Sequence, residues 1–408
     1  MAQKKLVQYG AGNIGRGFIG ELFARSGYEV VYIDVQEQVV DKLNKDRAYP
    51  VRYVSDEGYN EIVISGVRAI NGMDAGAVAE EIATADVVAT AVGVNVLPRI
   101  IDPIVAGLKQ RLASGNHNPL NIIICENLLD ADVFMRNLVA ERLSNSETAI
   151  LENTGFVEAS IGRMVPVMTE EMQEGNILRV CVEKYAELPV DGDAIKGEIP
   201  HVHGLIPASP FSYYIRRKLF IHNMGHALCA YLGSLYGHEF IAEAIRDPHI
   251  RIITKSAMSQ AARALAKEYG IDYSLLQDHI KDLIFRFHNR ALADTTERVG
   301  RDPLRKLAMT DRLAGAALYC MSHGLPMGYI SVGIAAGLAY YNATDEASVK
   351  IRGMIDSSGL PAVLKSICGI EPASDISMQV AGFYSMLKAG ASLEKILNNV
   401  VLREKVSP

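Results

Sequence analysis

A glycine-rich string near the start of the chain has the spacing of a dinucleotide-binding loop. Gly10, Gly12 and Gly15 form a GxGxxG motif between a short apolar run and a helical pattern. The first glycine permits a tight turn, the second lets the backbone approach a pyrophosphate, and the third lets helix and strand pack closely. The helix N-terminus then offers free N–H groups to the phosphates. The loop residues expected to bind the cofactor are Gly10, Ala11, Gly12, Asn13, Ile14 and Gly15.

An acidic residue at the end of the second predicted strand indicates which dinucleotide binds. Asp34 can accept hydrogen bonds from the adenosine ribose 2′-hydroxyl, and its charge would repel a 2′-phosphate. No arginine follows immediately, since Val35, Gln36 and Glu37 stand there. The sequence therefore favours NAD over NADP. The alternative is a tight turn without a ligand and an acid that only caps a strand.

Two later turns follow predicted strands of the same sheet. Ala91 and Val92 lie in the first turn, and Asn127 lies in the second. Ligands bind at the carboxyl ends of parallel strands, so we expect these residues beside the nicotinamide half of the cofactor. Ordinary turns without a binding role explain both segments almost as well.

A lysine, an asparagine and a histidine lie close together in a later apolar segment. In an α-helix, Asn223 would lie about 140° and His226 about 80° around the axis from Lys218, so all three share one broad side. Apolar neighbours would desolvate the lysine and lower its pKa. Such a lysine can take a hydroxyl proton while hydride leaves the same carbon for NAD, and the other two can hold the substrate oxygens. From spacing alone, a solvated lysine and a structural histidine are the better interpretation.

The elements that must position these residues predict an α/β domain followed by helices. Apolar, β-branched runs separated by helical patterns are typical of a parallel sheet covered on both faces. We expect a Rossmann-like NAD-binding domain over residues 1–205 and a mostly helical catalytic domain over residues 206–408. The predicted strands lie at 5–9, 29–33, 87–92 and 121–125, with an edge or antiparallel strand at 177–185.

Composition and charge exclude several classes of protein. The 408 residues are 49% hydrophobic and 22% charged, a balance typical of globular proteins. A net charge of −6 argues against nucleic acid as the main partner. The five cysteines are scattered without metal-binding spacing, so we expect reduced thiols and no metal site.

Two further patterns bear on location. The N-terminus runs directly into a strand pattern and offers no signal-peptide core. The uncharged stretch 313–344 is interrupted by the sequence HGLP at 323–326, which favours two short core helices over a membrane span. We therefore expect a cytoplasmic protein with a small-molecule partner, no membrane partner, and a monomeric state.

Several strings resemble the polyol-specific long-chain dehydrogenase family. In chain order they are GAGNIGRGFIG at 10–20, PLNII and CEN between 119 and 127, RKLF with Asn223 and GH between 217 and 226, AYLG at 230–233, and ERVGRDPLRKL at 297–307. The resemblance implies reversible, metal-independent oxidation of D-mannitol 1-phosphate to D-fructose 6-phosphate with NAD. It also implies that Lys218 is the general base, and that Asn223 and His226 position and polarise the reacting carbinol.

One block of the chain departs from the family pattern. Glu158 replaces an aspartate, and Gly162 replaces the aspartate before Arg163. Glu158 is a candidate substrate contact or a member of a proton relay beside Lys218, with a simple spacer as the alternative. Loss of the carboxylate at Gly162 is expected to loosen Arg163. These changes leave the redox chemistry intact but open the choice of substrate to another polyol, sugar phosphate or hexuronate.

A phosphorylated substrate needs cations. Arg301, Arg305 and Lys306 are the densest basic cluster of the second half, and Arg301 and Arg305 would project together if the segment is helical. Arginine suits bidentate phosphate binding. A solvated face, or ion pairs to Asp302 or Asp311, explains the cluster equally well. A non-catalytic NAD-binding module is a further, weaker alternative for the chain as a whole.

Overall fold

The computed structural model describes residues 3–406, except for the side chains of the last two of them. It contains two compact units, the first ending at Tyr214 and the second beginning at Ile215. The first combines a parallel sheet with helices, and the second is helical. The predicted fold class is confirmed.

The first unit is built on a six-stranded parallel sheet. Its strands are β1 (Lys5–Tyr9), β2 (Glu29–Asp34), β5 (Val67–Asn71), β6 (Val87–Thr90), β7 (Leu120–Ile124) and β8 (Thr154–Glu158). They lie in the order β5-β2-β1-β6-β7-β8, with every neighbouring pair parallel. This is the strand order of dinucleotide-binding domains, in which the chain reverses direction beside β1 and leaves a crevice there.

Successive side chains of the sheet enter two separate cores. Leu6 and Val30 point to one side, whereas Val7 and Val31 point to the other. Because helices cover both faces, the strands are apolar along their whole length instead of alternating. This explains why the four predicted strands could be found as continuous apolar runs.

Shorter strands complete the first unit. The remaining strands are β3 (Ala48–Ser55), β4 (Gly58–Ser65), β9 (Val180–Val182), β10 (Leu188–Asp191) and β11 (Leu205–Ala208). β3 and β4 form an antiparallel hairpin, and β10 pairs with β11. β9 is an edge strand, one of the two predicted alternatives, but it pairs in parallel with β3.

The helices of the first unit begin with a π-helical stretch. This stretch, Gly15–Gly20, follows the glycine loop and continues directly into α1. The helices are α1 (Glu21–Arg25), α2 (Glu37–Asp46), α3 (Ala75–Ala83), α4 (Ile101–Ala113), α5 (Ala131–Ala140), α6 (Ala149–Asn153) and α7 (Glu170–Gln173).

A buried ion pair joins α1 to the segment after β8. The guanidinium of Arg163 contacts the carboxylate of Glu21, and both side chains are fully buried. Arg163 Nη1 also donates to Gly17 O at 2.7 Å, and Nε donates to Tyr185 O. The expectation that Gly162 loosens Arg163 is therefore wrong. A side chain at position 162 would lie 2.9 Å from the Tyr185 ring, so glycine permits this packing.

The second unit is arranged around one buried helix. α9 packs against α10, α11, α13 and α16, and nine of its residues are buried. The helices from the division onward are α8 (Ser212–Arg217), α9 (Met224–Leu235), α10 (Ile241–Ala244), α11 (Pro248–Tyr269), α12 (Tyr273–Phe287), α13 (Thr296–Gly300), α14 (Pro303–Lys306), α15 (Ala314–Ser322), α16 (Gly328–Ala339), α17 (Glu346–Ser358), α18 (Leu360–Cys368), α19 (Asp375–Lys388) and α20 (Leu393–Val406).

The uncharged stretch near residue 320 forms α15 and α16, with a turn between them at the predicted place. Most residues of α16 are buried within the helical unit, which accounts for their apolar character. Among the described residues, no helix has both the length and the apolar character needed to cross a membrane.

Candidate functional site

The glycine loop has the geometry that its sequence predicts. Gly10 has φ +93°, and a Cβ there would lie 2.4 Å from Ala91 O. A Cβ on Gly15 would lie 2.0 Å from Gly10 O, so these two glycines permit the turn and the close packing of helix on strand. At Gly12, by contrast, no described atom lies within 4 Å of an ideal Cβ. The middle glycine therefore faces open space, as a site for a pyrophosphate requires.

A cavity of about 720 Å³ lies beside this loop. Ala11, Gly12 and Asn13 line one side of it, and the segment from Asp34 to Val39 lines another. Its volume is within the range of cofactor and ligand sites. The expected residues Ala11, Gly12, Asn13 and Asp34 therefore share one cavity within the first unit.

Asp34 is held at the edge of this cavity by backbone amides. Its Oδ2 accepts a hydrogen bond from Ala11 N–H at 2.7 Å, and its Oδ1 accepts one from Gln36 N–H at 3.0 Å. Each carboxylate oxygen keeps a further lone pair for a hydroxyl donor. The position and chemistry of Asp34 thus fit the ribose of NAD.

Arg16 also lines the cavity, and the sequence analysis missed it. The side chain is 5% exposed, and its Nε and Nη1 have no hydrogen-bond partner in the described part of the chain. Burial lowers the pKa of this guanidinium. A buried cation with unused donors fits an anionic group of the cofactor. The available signal was a single arginine in the otherwise uncharged run directly after the loop.

The turn after β6 uses its amides inside the fold. Ala91 N–H donates to Tyr9 O at 2.9 Å, and Val92 N–H donates to the Glu126 carboxylate at 2.8 Å. Glu126 also accepts from Gly93 N–H at 2.8 Å. Ala91 and Val92 can therefore meet a cofactor only through carbonyls or side chains. Asn127 is exposed after β7.

The segment with the predicted catalytic lysine is a π-helix. It spans Lys218–Asn223, and Met224 N–H donates to Leu219 O, five residues back. In a π-helix, residues five apart lie one above the other, because the hydrogen bonds run between i and i+5. Lys218 and Asn223 thus share one face, and the α-helical separation of about 140° is wrong. Single π turns within α-helices are frequent at functional sites.

His226 lies three residues beyond Asn223, in the first turn of α9. Its ring stacks on Phe287, with centroids 4.8 Å apart and planes 22° apart. Its Nε2 lies 3.2 Å from Asp294 Oδ2. The three predicted catalytic residues are therefore brought together on two consecutive helical segments of the second unit.

Two histidines of the second unit have pKa values below the usual range. His222 is buried, and burial holds its pKa well below its usual range, with further lowering by the positive charges of Arg286 and Lys218. Burial lowers the pKa of His279 to about 3, and Arg217 adds to this effect. The ring centroid of His222 lies 6.0 Å from that of Phe287.

Glu158 ends β8 and caps a helix. Its Oε1 accepts a hydrogen bond from Ala131 N–H, the first residue of α5, at 2.7 Å. Burial raises the pKa of the carboxyl to about 7, although that hydrogen bond lowers it, and Asp132 and Asp130 add to the increase. Glu158 therefore titrates near neutral pH and has a structural role as a cap of α5.

The basic cluster is not a single helical face. α13 ends at Gly300 and α14 begins at Pro303, so the expectation that Arg301 and Arg305 project from one helix is wrong. Arg305 forms ion pairs with Asp302 at 3.1 Å and Asp311 at 3.6 Å.

The other two cations of the cluster differ in exposure. Lys306 is buried, donates to Arg301 O, and has its pKa lowered to about 7 by burial and then by Arg312. Arg301 is exposed, and its guanidinium forms no hydrogen bond or ion pair among residues 3–404.

Comparison with known proteins assigns the family. The model of the mannitol dehydrogenase Rossmann domain matches residues 4–204, and that of the mannitol dehydrogenase C-terminal domain matches residues 211–378. The chain belongs to the mannitol dehydrogenase family. It is 41% identical over 365 residues to mannitol-1-phosphate 5-dehydrogenase of Brevibacillus brevis, covering 89% of this chain and 93% of that protein.

Two solved structures share the fold. Mannitol 2-dehydrogenase of Pseudomonas fluorescens, in a ternary complex with NAD and D-mannitol, superposes with a TM-score of 0.76 at 17% identity and covers 98% of this chain and 94% of its own. A D-sorbitol dehydrogenase in substrate-free form superposes with a TM-score of 0.82 at 15% identity and covers 97% of this chain and 95% of its own. The family assignment confirms the predicted class and cofactor: the chain is a dehydrogenase that uses NAD.

A change at Gly12 tests the cofactor loop. A methyl group there meets no protein atom but occupies the space left for the pyrophosphate, so Gly12→Ala should preserve the melting temperature. It should weaken NADH binding about tenfold, or about 1.4 kcal/mol, in a fluorescence titration. In the control, Gly10→Ala, the positive φ and Ala91 O should lower the melting temperature itself. Unchanged NADH affinity in Gly12→Ala would place the pyrophosphate elsewhere.

Glu158 makes stability depend on pH in a predictable direction. The pKa of its carboxyl is about 7 in the folded chain and 4.5 ordinarily. The free energy of unfolding should therefore fall as the pH rises from 4.5 to 7, because the folded chain holds this proton more tightly than the unfolded chain does. Glu158→Gln keeps an acceptor for Ala131 N–H without the charge. The urea midpoint of the variant should equal that of the wild type at pH 4 and should be higher than it at pH 8. The exposed control Glu152→Gln should change neither value, and a lower midpoint for Glu158→Gln at pH 8 would contradict the assignment.

Proposed function

We propose that this chain interconverts a polyol phosphate and a ketose phosphate with NAD, specifically D-mannitol 1-phosphate and D-fructose 6-phosphate. The observation that carries the proposal is the π-helical segment that stacks Asn223 over Lys218 immediately before His226. The similarity to mannitol-1-phosphate 5-dehydrogenase over most of both chains supports the choice of substrate. A cytoplasmic location accords with this activity.

In this mechanism Lys218 is the general base. Its Nζ, when neutral, takes the proton of the substrate hydroxyl as the carbon–oxygen double bond forms. Bound NAD would supply the acceptor for the hydride that leaves the same carbon. The amide of Asn223 donates a hydrogen bond to the reacting oxygen and stabilises the negative charge that develops on it. His226 contacts the same end of the substrate and orients it.

The proposed phosphate ligand is Arg301. It is exposed and without a protein partner in the described part of the chain, whereas Lys306 is buried. Arg301 follows Gly300, which packs closely against Tyr231 of α9, the helix that carries His226. Arg305 can assist if its surface ion pairs open, since such pairs contribute little. Lys306 supports the loop by donating to Arg301 O.

One observation favours a related substrate instead. Glu158 is a carboxyl that titrates near neutral pH, at a position where the family resemblance implies a polar residue near the reacting oxygen. A protonated carboxyl can donate a hydrogen bond that an ionised one lacks. This would suit a different polyol, sugar phosphate or hexuronate. The same fold and the same lysine would serve that reaction.

A substrate comparison tests the proposal. NADH oxidation followed at 340 nm should be fast with fructose 6-phosphate and at least about a hundredfold slower, in kcat/KM, with free fructose, because a charge-assisted phosphate site contributes about 3 kcal/mol. Arg301→Ala should raise the KM for the phosphate with little change in kcat, and Lys281→Ala is an exposed control. Equal rates with both ketoses would exclude a phosphate site. Turnover only with a uronate would favour the related substrate.

Loss of the lysine tests the mechanism. Lys218→Ala should bind NADH as the wild type does while turnover falls by about 10²–10⁴, the usual contribution of general acid–base catalysis. Fluorescence titration and the 340 nm assay measure the two quantities. Near-normal turnover in Lys218→Ala would exclude it as the base.

A further inference from the structure

A buried carboxylate lies against the histidine of the proposed catalytic set. Asp294 Oδ2 is 3.2 Å from His226 Nε2, and the aspartate is 9% exposed. Nε2 is itself buried and has no hydrogen-bond partner in the described part of the chain, because its contact with Asp294 is within hydrogen-bond distance but not aligned. Rotation of the ring would align this contact as an N–H···O hydrogen bond. His226 Nε2 and Asp294 Oδ2 therefore face each other, and each is available for a hydrogen bond to the other.

The other oxygen of this carboxylate is already committed. Arg298 donates to Asp294 Oδ1 through both Nε, at 2.7 Å, and Nη2. Arg298 lies in α13, which packs against α9. Because a guanidinium has only donors, Oδ1 must be an acceptor. Oδ2 is thus the oxygen left for His226.

The imidazole ring is also fixed on its face. Phe287 stacks on His226 at 4.8 Å, and the ring of His222 lies 6.2 Å away. With Nε2 directed to Asp294, the opposite nitrogen, Nδ1, has no hydrogen-bond partner among the described residues. Nδ1 is therefore the atom of His226 available to a substrate.

We propose that Asp294 is a positioning residue that holds His226 in the tautomer with its proton on Nε2. The lone pair of Nδ1 then accepts a hydrogen bond from a substrate hydroxyl. This inference rests on the proposed function, because it assigns His226 to the substrate. A carboxylate that orients a histidine through its second nitrogen selects the tautomer that the first nitrogen presents.

The arrangement of Arg298 makes the test specific. In Asp294→Asn, Arg298 should attract the amide oxygen, so the amide NH₂ group faces His226 Nε2. The NH₂ group is a donor, so Nε2 must become the acceptor and the proton must move to Nδ1. Nδ1–H could then only donate to the substrate, and the substrate hydroxyl would lose the acceptor that Nδ1 offers in the wild type. The variant changes the tautomer while conserving shape.

The experiment combines a tautomer measurement with kinetics. The ¹⁵N shifts of His226, assigned with His226→Gln, should report Nε2–H in the wild type and Nδ1–H in Asp294→Asn. Turnover should fall about 10- to 100-fold, as is usual when a residue that orients a functional histidine is changed. NADH affinity should stay within about twofold. Asp278→Asn, on the exposed part of α12, is the matched control and should change nothing.

A second variant separates positioning from simple support of the fold. Removing the guanidinium in Asp294→Asn/Arg298→Met lets the amide turn its oxygen to Nε2, so the Nε2–H tautomer and part of the lost turnover should return. A merely structural role would make the double variant worse than either single one. If Asp294→Asn does not fold, Asp294→Glu is measured in its place. This variant keeps the carboxylate and should retain the wild-type tautomer.

The outcomes keep this inference distinct from the proposed function. Wild-type turnover in a folded Asp294→Asn, or a loss of turnover with Nε2–H unchanged, would overturn the positioning role. A wild-type chain inactive on every polyol and ketose would instead overturn the proposed function, and the ¹⁵N shifts would still show whether Asp294 sets the tautomer.

Discussion

The first unit depends on the buried ion pair between Glu21 and Arg163. Glu21 begins the helix that continues the π-helical stretch after the glycine loop, and Arg163 follows the strand that ends at Glu158. Removing either partner would leave an uncompensated buried charge, at a cost of about 3–5 kcal/mol. Each charge therefore fixes the place of the other. The cofactor loop and the end of β8, far apart in the chain, are held in one arrangement by this constraint.

The features that sequence reasoning found are those whose cause is local. Gly10, Gly12 and Gly15 have different roles, but each role follows from backbone geometry within one turn, so the motif predicted all three. The parallel sheet was equally accessible, because strands buried on both faces must be apolar throughout. The lysine set was found by its spacing, but its proposed role came only from the resemblance, since spacing alone favoured a solvated lysine.

The features that it missed depend on contacts between distant segments. Glu126 accepts from the turn after β6, and Asp294 meets His226 from 68 positions along the chain. A sequence without its fold gives no sign of which acid meets which donor. The error over Arg301 and Arg305 has another cause. Asp302 adopts a left-handed conformation with φ +59° and starts a new helix, which a pattern of basic residues does not indicate.

The π-helix at Lys218–Asn223 makes the length of this segment as important as its composition. A π turn accommodates one residue more than the α-helical turn it replaces. Deleting a single residue there, for instance Ile221, would let a continuous α-helix run from α8 into α9. α9 would keep its place in the core, and Lys218 and Asn223, then four residues apart, would still share one face, whereas an α-helix of unchanged length would separate them by about 140°. A lysine and an asparagine five residues apart therefore share one face only where this segment is π-helical, and the same pair four residues apart shares it only where the segment is α-helical.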